Sequence, residues 1–340
     1  MPRKSANYQR LESLWAAGMP TILDGATGSE LQAMGYPGET DGQRPLNFTW
    51  GTLALYDAPD LTRQLHRRYI DAGAQILETN TFLLHRLHQM EQAGEMDVPP
   101  GTWRDKAKLS VRLAREAARE AGRDDTAVAF SLEVSVSPKS EWLWNGPTAK
   151  VTRPPAPKEI LPLSYLRELA QAVLEEPPDA LLVELAPDIP EDLQFPYYEA
   201  LLESEIPLWI AFRRGARGKL GITGEVMAED AELFARGVAR LEALGVSAIL
   251  AMCAPAESMR GLATSLRQHT QLPLGVYPNN GQYDMWQWRW EHVLTPEAFA
   301  AEARAFAAEG MNIIGGCCGT RPDDIAAVSR ALASEPTRSA

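Results

Sequence analysis

Eight times along this chain a short apolar, β-branched run is followed by a segment of helical period, and that alternation restricts the fold to a parallel sheet wrapped in helices. The runs predict strands at 21–23, 75–78, 128–132, 180–185, 208–212, 247–252, 274–277 and 312–315. Helical spacing predicts helices over 60–72, 104–120, 164–175, 191–203, 229–244, 255–267, 296–308 and 322–333. Asp60, Thr295 before Pro296-Glu297, and Thr320 before Pro322-Asp323-Asp324 read as helix starts. Gly73, Gly245 and Gly310 read as helix ends. Strands this apolar are buried on both faces, which fits a closed (β/α)8 TIM barrel better than an open sheet. The competing doubly wound fold would want a Gly-x-Gly-x-x-Gly turn after its first strand, and none is present. The expectation is one barrel domain over 1–340, with 334–340 as a frayed tail.

Two connections are longer than a minimal barrel requires. Residues 133–163 carry Trp142, Trp144 and a proline cluster from Pro154 to Pro162. Residues 279–294 carry Tyr283, Trp286, Trp288 and Trp290. Both follow the C-terminal ends of predicted strands, the face on which barrels place their sites. Long connections there serve as lids, binding loops or interface arms.

Charge narrows the partners. Lys and Arg number 33 against 45 Asp and Glu, a net charge of −12. An acidic chain has no electrostatic case for nucleic acid or an anionic membrane. No run of about 18 apolar residues exists to span a bilayer. The N-terminal apolar stretch is interrupted by Asn7, Gln9, Arg10 and Glu12, so no signal peptide fits. A cytoplasmic protein acting on small molecules is expected, and a homo-oligomer stays open.

The chain has 3 cysteines, an odd and sparing number that argues against a disulfide scaffold. Cys253 closes the sixth predicted strand; Cys317 and Cys318 close the eighth. All three therefore fall at one rim. A lone cysteine at a strand end is commonly a small buried hydrophobe, and a vicinal pair has redox readings too. Three thiolates converging on one point suit Zn²⁺ with one coordination position left free. Gly315, Gly316 and Gly319 give the backbone the freedom to aim two adjacent side chains at one ion.

Several strings resemble one family, the homocysteine S-methyltransferases. Asp24-Gly25-Ala26-Thr27-Gly28-Ser29-Glu30-Leu31 is similar to its first-strand motif, and Ala72-Gly73-Ala74 leading to Glu78-Thr79-Asn80-Thr81-Phe82 to its second. Glu184 matches the acid that ends its fourth strand. Pro207-Leu208-Trp209-Ile210-Ala211-Phe212 resembles the fifth strand, and Tyr277-Pro278-Asn279 the seventh. Gly315-Gly316-Cys317-Cys318-Gly319-Thr320, with Cys253 upstream, is the most specific match.

The resemblance implies that Cys253, Cys317 and Cys318 hold zinc. It implies that Asp24 and Glu184 receive the amino group of homocysteine, while backbone around Gly25, together with Thr79 and Asn80, forms the rest of the substrate site. The implied activity moves a methyl group from an onium donor (S-methylmethionine, S-adenosylmethionine or betaine) to the homocysteine sulfur, giving methionine. No catalytic side chain is needed beyond the zinc-activated substrate thiol. Two departures touch the site. Met252 stands where the family usually has Asn before its first cysteine, which leaves the resting fourth ligand open. Glu133 stands where its third-strand turn usually has Gly, so donor identity does not carry over. Aromatic faces attract onium cations, so Trp142, Trp144, Trp286, Trp288 or Trp290 are candidates for a cage, with ordinary packing as the competing reading. With the chain ending soon after its eighth unit, no built-in corrinoid domain is expected. Other readings are a zinc barrel methylating another thiol or selenol, and a zinc-binding regulatory homologue without activity.

Overall fold

The computed structural model describes residues 2–36, 51–136, 159–186, 195–213, 231–284, 289–291 and 293–333. Eight parallel strands form its centre: β1 (Thr21–Ile22), β2 (Ile76–Glu78), β3 (Ala127–Glu133), β4 (Ala180–Ala186), β5 (Leu208–Arg213), β6 (Ala248–Pro255), β7 (Leu274–Asn279) and β8 (Ile313–Ile314). Neighbours run β1-β8-β7-β6-β5-β4-β3-β2, and a parallel bridge from Leu23 to Ile76 joins the two ends of that row. The ring therefore closes as a TIM barrel, and the open-sheet alternative is excluded. Every predicted strand is present to within three residues at either end.

Alternation along the strands assigns the two faces. Leu23, Ile76, Ala127, Ala129, Ala180, Leu182, Trp209, Ala211, Ala248, Leu250, Met252, Tyr277 and Ile313 pack together as the barrel interior. The intervening residues, such as Val128, Leu181, Ile210 and Ile249, face the surrounding helices. Strands β3, β4, β5 and β6 each offer at least one alanine to the interior, and the fully buried Trp209 fills space beside them. A helix at Ala6–Ala16, not anticipated from the sequence, plugs the N-terminal end. Its Tyr8, Leu11 and Trp15 turn inward, with Trp209 Nε1 donating to Tyr8 Oη at 3.1 Å and Trp15 Nε1 to Thr21 Oγ1 at 3.0 Å. Residues that interrupt the apolar stretch, such as Gln9 and Glu12, form that helix's outer face. Ser5 caps it by accepting the Tyr8 N–H. With one end plugged, the interior is approached from the other.

Other details depart from expectation for local reasons. Helix Pro59–Asp71 begins with proline in its first turn, and Ala58 rather than Asp60 occupies the cap position. Thr295 does cap its helix, accepting the Ala298 N–H at 3.3 Å. The helix expected over 255–267 is divided into a 3-10 turn, Ala256–Met259, and a short helix, Leu262–Leu266, because Gly261 adopts φ +76°. Helix Leu84–Ala93 was not anticipated.

The two long connections begin with order of their own. Ser135–Val136 pairs antiparallel with Glu159–Ile160, tying the ends of the first. Gln282–Asp284 pairs with Arg289–Glu291 in the second, setting Tyr283 opposite Trp290. The Asn280 side chain clamps that hairpin's base, receiving the Leu294 N–H at 2.8 Å and donating to its carbonyl. Trp142, Trp144, Trp286, Trp288, the prolines at 154, 155 and 157 and the tail 334–340 lie outside the described residues.

Gly315 marks a close approach between neighbouring strand exits. A Cβ there would stand 2.6 Å from Leu23 Cβ and 2.9 Å from the Asp24 carbonyl oxygen, both on the neighbouring strand's exit. Backbone cannot yield as a side-chain tip can. Gly315→Ala is expected to cost about 3 kcal/mol, the upper end for overpacking, read as a fall of several degrees in Tm.

Candidate metal and substrate site

Cys253 reaches the interior against the alternation of its own strand. Leu250 and Met252 face inward and Ala251 outward, so a regular continuation would send residue 253 out toward the helices. Two irregularities prevent this. The β6–β7 register shifts between Met252 and Pro255, and Cys253 itself takes φ +53°, one of two non-glycine residues with positive φ among those described. An L residue in that region is strained by about 1–3 kcal/mol. The strain has an identifiable result. Cys253 packs against the interior cluster beside Cys317, while Ala254 resumes the outward face.

Cys317 and Cys318 sit on a turn held by its neighbours on both sides. Gly316 N–H donates to the Asp24 carbonyl at 3.0 Å, Cys317 N–H to Pro278 at 2.7 Å, and Asn280 N–H to the Cys318 carbonyl at 2.9 Å. A Cβ on Gly316 would fall 2.2 Å from Thr320, and Gly319 turns the chain at φ +76°. The glycines thus serve as the sequence suggested, by close approach and by a left-handed turn.

The ligand sulfurs of Cys253, Cys317 and Cys318 all lie within 4.8 Å of one another, and those of Cys317 and Cys318 are 3.8 Å apart. A tetrahedral zinc with Zn–S bonds of about 2.3 Å sets its sulfurs about 3.8 Å apart. The cluster could therefore bind a metal, and its spacing and softness match zinc. Hydrogen bonding with Cys253, with burial added, holds the Cys317 and Cys318 thiols well above their ordinary pKa. Three crowded thiols resist ionising together unless a cation is among them.

Beside the sulfurs lie three buried carboxylates. Asp24 follows β1, Glu78 ends β2, and Glu184 lies on β4; they are 0%, 7% and 7% exposed. Asp24 Oδ2 receives the Glu78 N–H at 3.1 Å. Glu184 receives the Ser131 hydroxyl on one oxygen and the Tyr277 hydroxyl, at 3.1 Å, on the other. Burial raises Asp24 and Glu78 well above the usual carboxylate range, and the Glu184 charge raises each further. Burial pushes Glu184 up to about 7 against the pull of its two hydroxyls. Among the described residues no cation neutralises this group by an ion pair. Such a site favours a positively charged ligand.

The remaining expected positions frame this pocket in different ways. At Gly25 a Cβ would meet the Tyr69 ring at 2.8 Å; the Tyr69 hydroxyl lies 2.8 Å from the Ala26 carbonyl and 3.0 Å from that of Thr320, tying the first and last strand exits together. Thr79 Oγ1 accepts the Ser131 N–H at 3.1 Å and contacts Thr81 Oγ1, whose own hydrogen goes to the Ser131 carbonyl. Asn80 braces the loop below it, donating to the Gly51 carbonyl at 3.0 Å, and its Oδ1 is buried without a donor. Met252 lies inside, its sulfur 3.2 Å from the Tyr277 hydroxyl.

Sequence reasoning missed three members of the site as such: Glu78, Ser131 and Tyr277. Parity was the available signal. Ile76 faces inward, so Glu78 does too; Ala129 leads likewise to Ser131. At three residues, β2 was too short to display its alternation.

Comparison with known proteins gives a consistent picture. The sequence profile described as homocysteine S-methyltransferase matches residues 21–332. The chain is 28% identical to homocysteine S-methyltransferase 3 of Zea mays, over 93% of this chain and 91% of that one. It is 26% identical to the selenocysteine methyltransferase of Astragalus bisulcatus, over 96% and 97%. Among solved structures, the metallated form of the homocysteine methyltransferase MmuM from Escherichia coli superposes with a TM-score of 0.65 at 25% identity, covering 94% of this chain and 99% of that one.

Proposed function

Because the chain belongs to the homocysteine S-methyltransferase family, we propose that it methylates homocysteine to methionine from an onium donor, at a zinc ion held by Cys253, Cys317 and Cys318. The observation that carries this reading is the placement of three buried acids beside three half-buried, clustered cysteines at one end of the closed interior. Homocysteine has an ammonium for the acids and a sulfur for the thiol cluster. Zinc bound there would stabilise the incoming thiol as thiolate at neutral pH, a nucleophile strong enough to need no further base.

The protein's own groups do the rest. Asp24 and Glu184 fix the ammonium, and so fix where the sulfur at the other end of the substrate lies. Ser131 and Tyr277 hold the Glu184 carboxylate in one orientation. Backbone at Gly25, with Thr79 and Asn80 around it, frames the carboxylate end. The N-terminal plug and the apolar interior exclude water from below. Strands β6 and β8 carry the cysteines, across the ring from β2, β3 and β4.

Charge supports an onium donor in particular. Asp24, Glu78 and Glu184 are joined at the same rim by Glu133, which is paired in register with Glu184. Acids and thiolates together outweigh one divalent cation, and a negative pocket concentrates cationic substrates. S-methylmethionine, S-adenosylmethionine and betaine all qualify. We place the whole activity in one barrel domain acting on small molecules; among the described residues no helix is long and apolar enough to cross a membrane.

A donor panel tests the reading. Zinc-loaded protein under reducing conditions is expected to form methionine from homocysteine with at least one of the three onium donors. No methionine with any of them would overturn it. The similarity to a selenocysteine methyltransferase favours one variant of the same chemistry, a selenol as acceptor. Comparing kcat/KM for homocysteine and selenocysteine in the same assay decides between them.

A further inference from the structure

We propose that Glu78 is a direct acceptor for the substrate's ammonium, completing with Asp24 and Glu184 a cradle that engages all three N–H bonds of a primary ammonium. The inference deepens the homocysteine reading and rests on it.

Hydrogen-bond accounting points to Glu78. Glu184 already receives two hydroxyls, from Ser131 and Tyr277. The buried carboxylate oxygens of the trio with no donor are Asp24 Oδ1 and Glu78 Oε1. A buried carboxylate oxygen without a donor is costly, so a group that supplies hydrogens and charge at that point binds well. The two orphaned oxygens belong to residues fixed to each other, since the Glu78 N–H donates to Asp24 Oδ2. The Glu184 and Asp24 charges both act on the Glu78 carboxyl, and the Glu78 charge acts in turn on the Tyr277 hydroxyl. Those residues come from four different strands or strand exits, so their shared neighbourhood is the barrel interior and not a surface cluster. An α-ammonium has three hydrogens, and Asp24, Glu78 and Glu184 offer one carboxylate to each. Such a cradle leaves no room for an N-methyl substituent.

Binding read without any methyl donor tests this. Cobalt-substituted protein reports thiol binding through its visible absorption, giving a Kd for L-homocysteine and for 4-mercaptobutyrate, which lacks the amino group. Glu78→Gln and Glu78→Ala are expected to keep one metal per chain. They should weaken homocysteine by about tenfold or more, the size of one lost charge-assisted hydrogen bond, and leave 4-mercaptobutyrate within about twofold. N-methyl-L-homocysteine should bind wild type poorly, and Glu78→Ala should narrow that preference. Glu78→Gln keeps the side chain's shape, so the test does not depend on the alanine variant folding. Unchanged homocysteine affinity in both variants would overturn the proposal, as would equal weakening of both thiols. A wild-type protein whose spectrum ignores homocysteine would overturn the acceptor reading itself, and Glu78's role with it.

Discussion

Cys318→Ala is expected to lose its zinc and to lower kcat/KM by about a thousandfold or more, some 4 kcal/mol of transition-state stabilisation. Two sulfurs and a solvent position make a weak site for zinc, and a thiol left in its protonated form is a poor nucleophile. Refolding around the gap is not the cause to expect. The turn carrying Cys318 is held by backbone bonds to Asp24, Pro278 and Asn280, none of which uses the sulfur. The variant should therefore melt close to the metal-free wild type. Zinc measured per chain, together with methionine formation, checks both halves. Full activity without metal would count decisively against a metal-dependent reaction.

Asp24→Asn and Glu184→Gln form the second large effect, and they act on binding more than on the sulfur. Each removes a buried charge from the ammonium's surroundings, worth about 2–5 kcal/mol when one partner of a desolvated charge pair is lost. KM for homocysteine should rise by some tens-fold to a thousandfold, with zinc retained. Stability moves the other way. Burial raises Asp24 well above its ordinary pKa, so its ionised form weighs against the empty fold. That penalty is absent at pH below the ordinary carboxylate value, grows as pH rises from there toward the folded pKa, and is complete above it. Asp24→Asn should therefore gain Tm over wild type at pH 8 and gain little at pH 4 in substrate-free protein. A variant that binds homocysteine normally would remove Asp24 from the ammonium site.

Much of this was legible in the chain because barrels write their order locally. Each strand is short, doubly buried and followed by its own helix, so eight β-then-α units could be counted without knowing any long-range contact. The cysteines were legible for the same reason: strand ends fall on one rim, so residues 253, 317 and 318 had to approach one another. What could not be read was how Cys253 turns inward. Regular alternation sends it outward, and only the φ of +53° with the adjoining register shift corrects this. Glu78 was missed because three residues of strand, all buried, show no period. The plug helix was missed because its apolar positions, Tyr8, Leu11 and Trp15, are few and widely spaced among polar residues. They gain meaning only against Trp209 and the end of the barrel. Gly261, a single residue with left-handed φ, ended a helix that periodicity alone would have continued.

The central claim is that three cysteine sulfurs hold one zinc ion and leave room for the substrate's sulfur. X-ray absorption at the zinc edge, on protein as isolated and after adding homocysteine, measures this directly. The account predicts three sulfur neighbours at about 2.3 Å, rising to four with homocysteine and unchanged by methionine. Fewer than three sulfurs at the start, or no added sulfur with homocysteine, would contradict it.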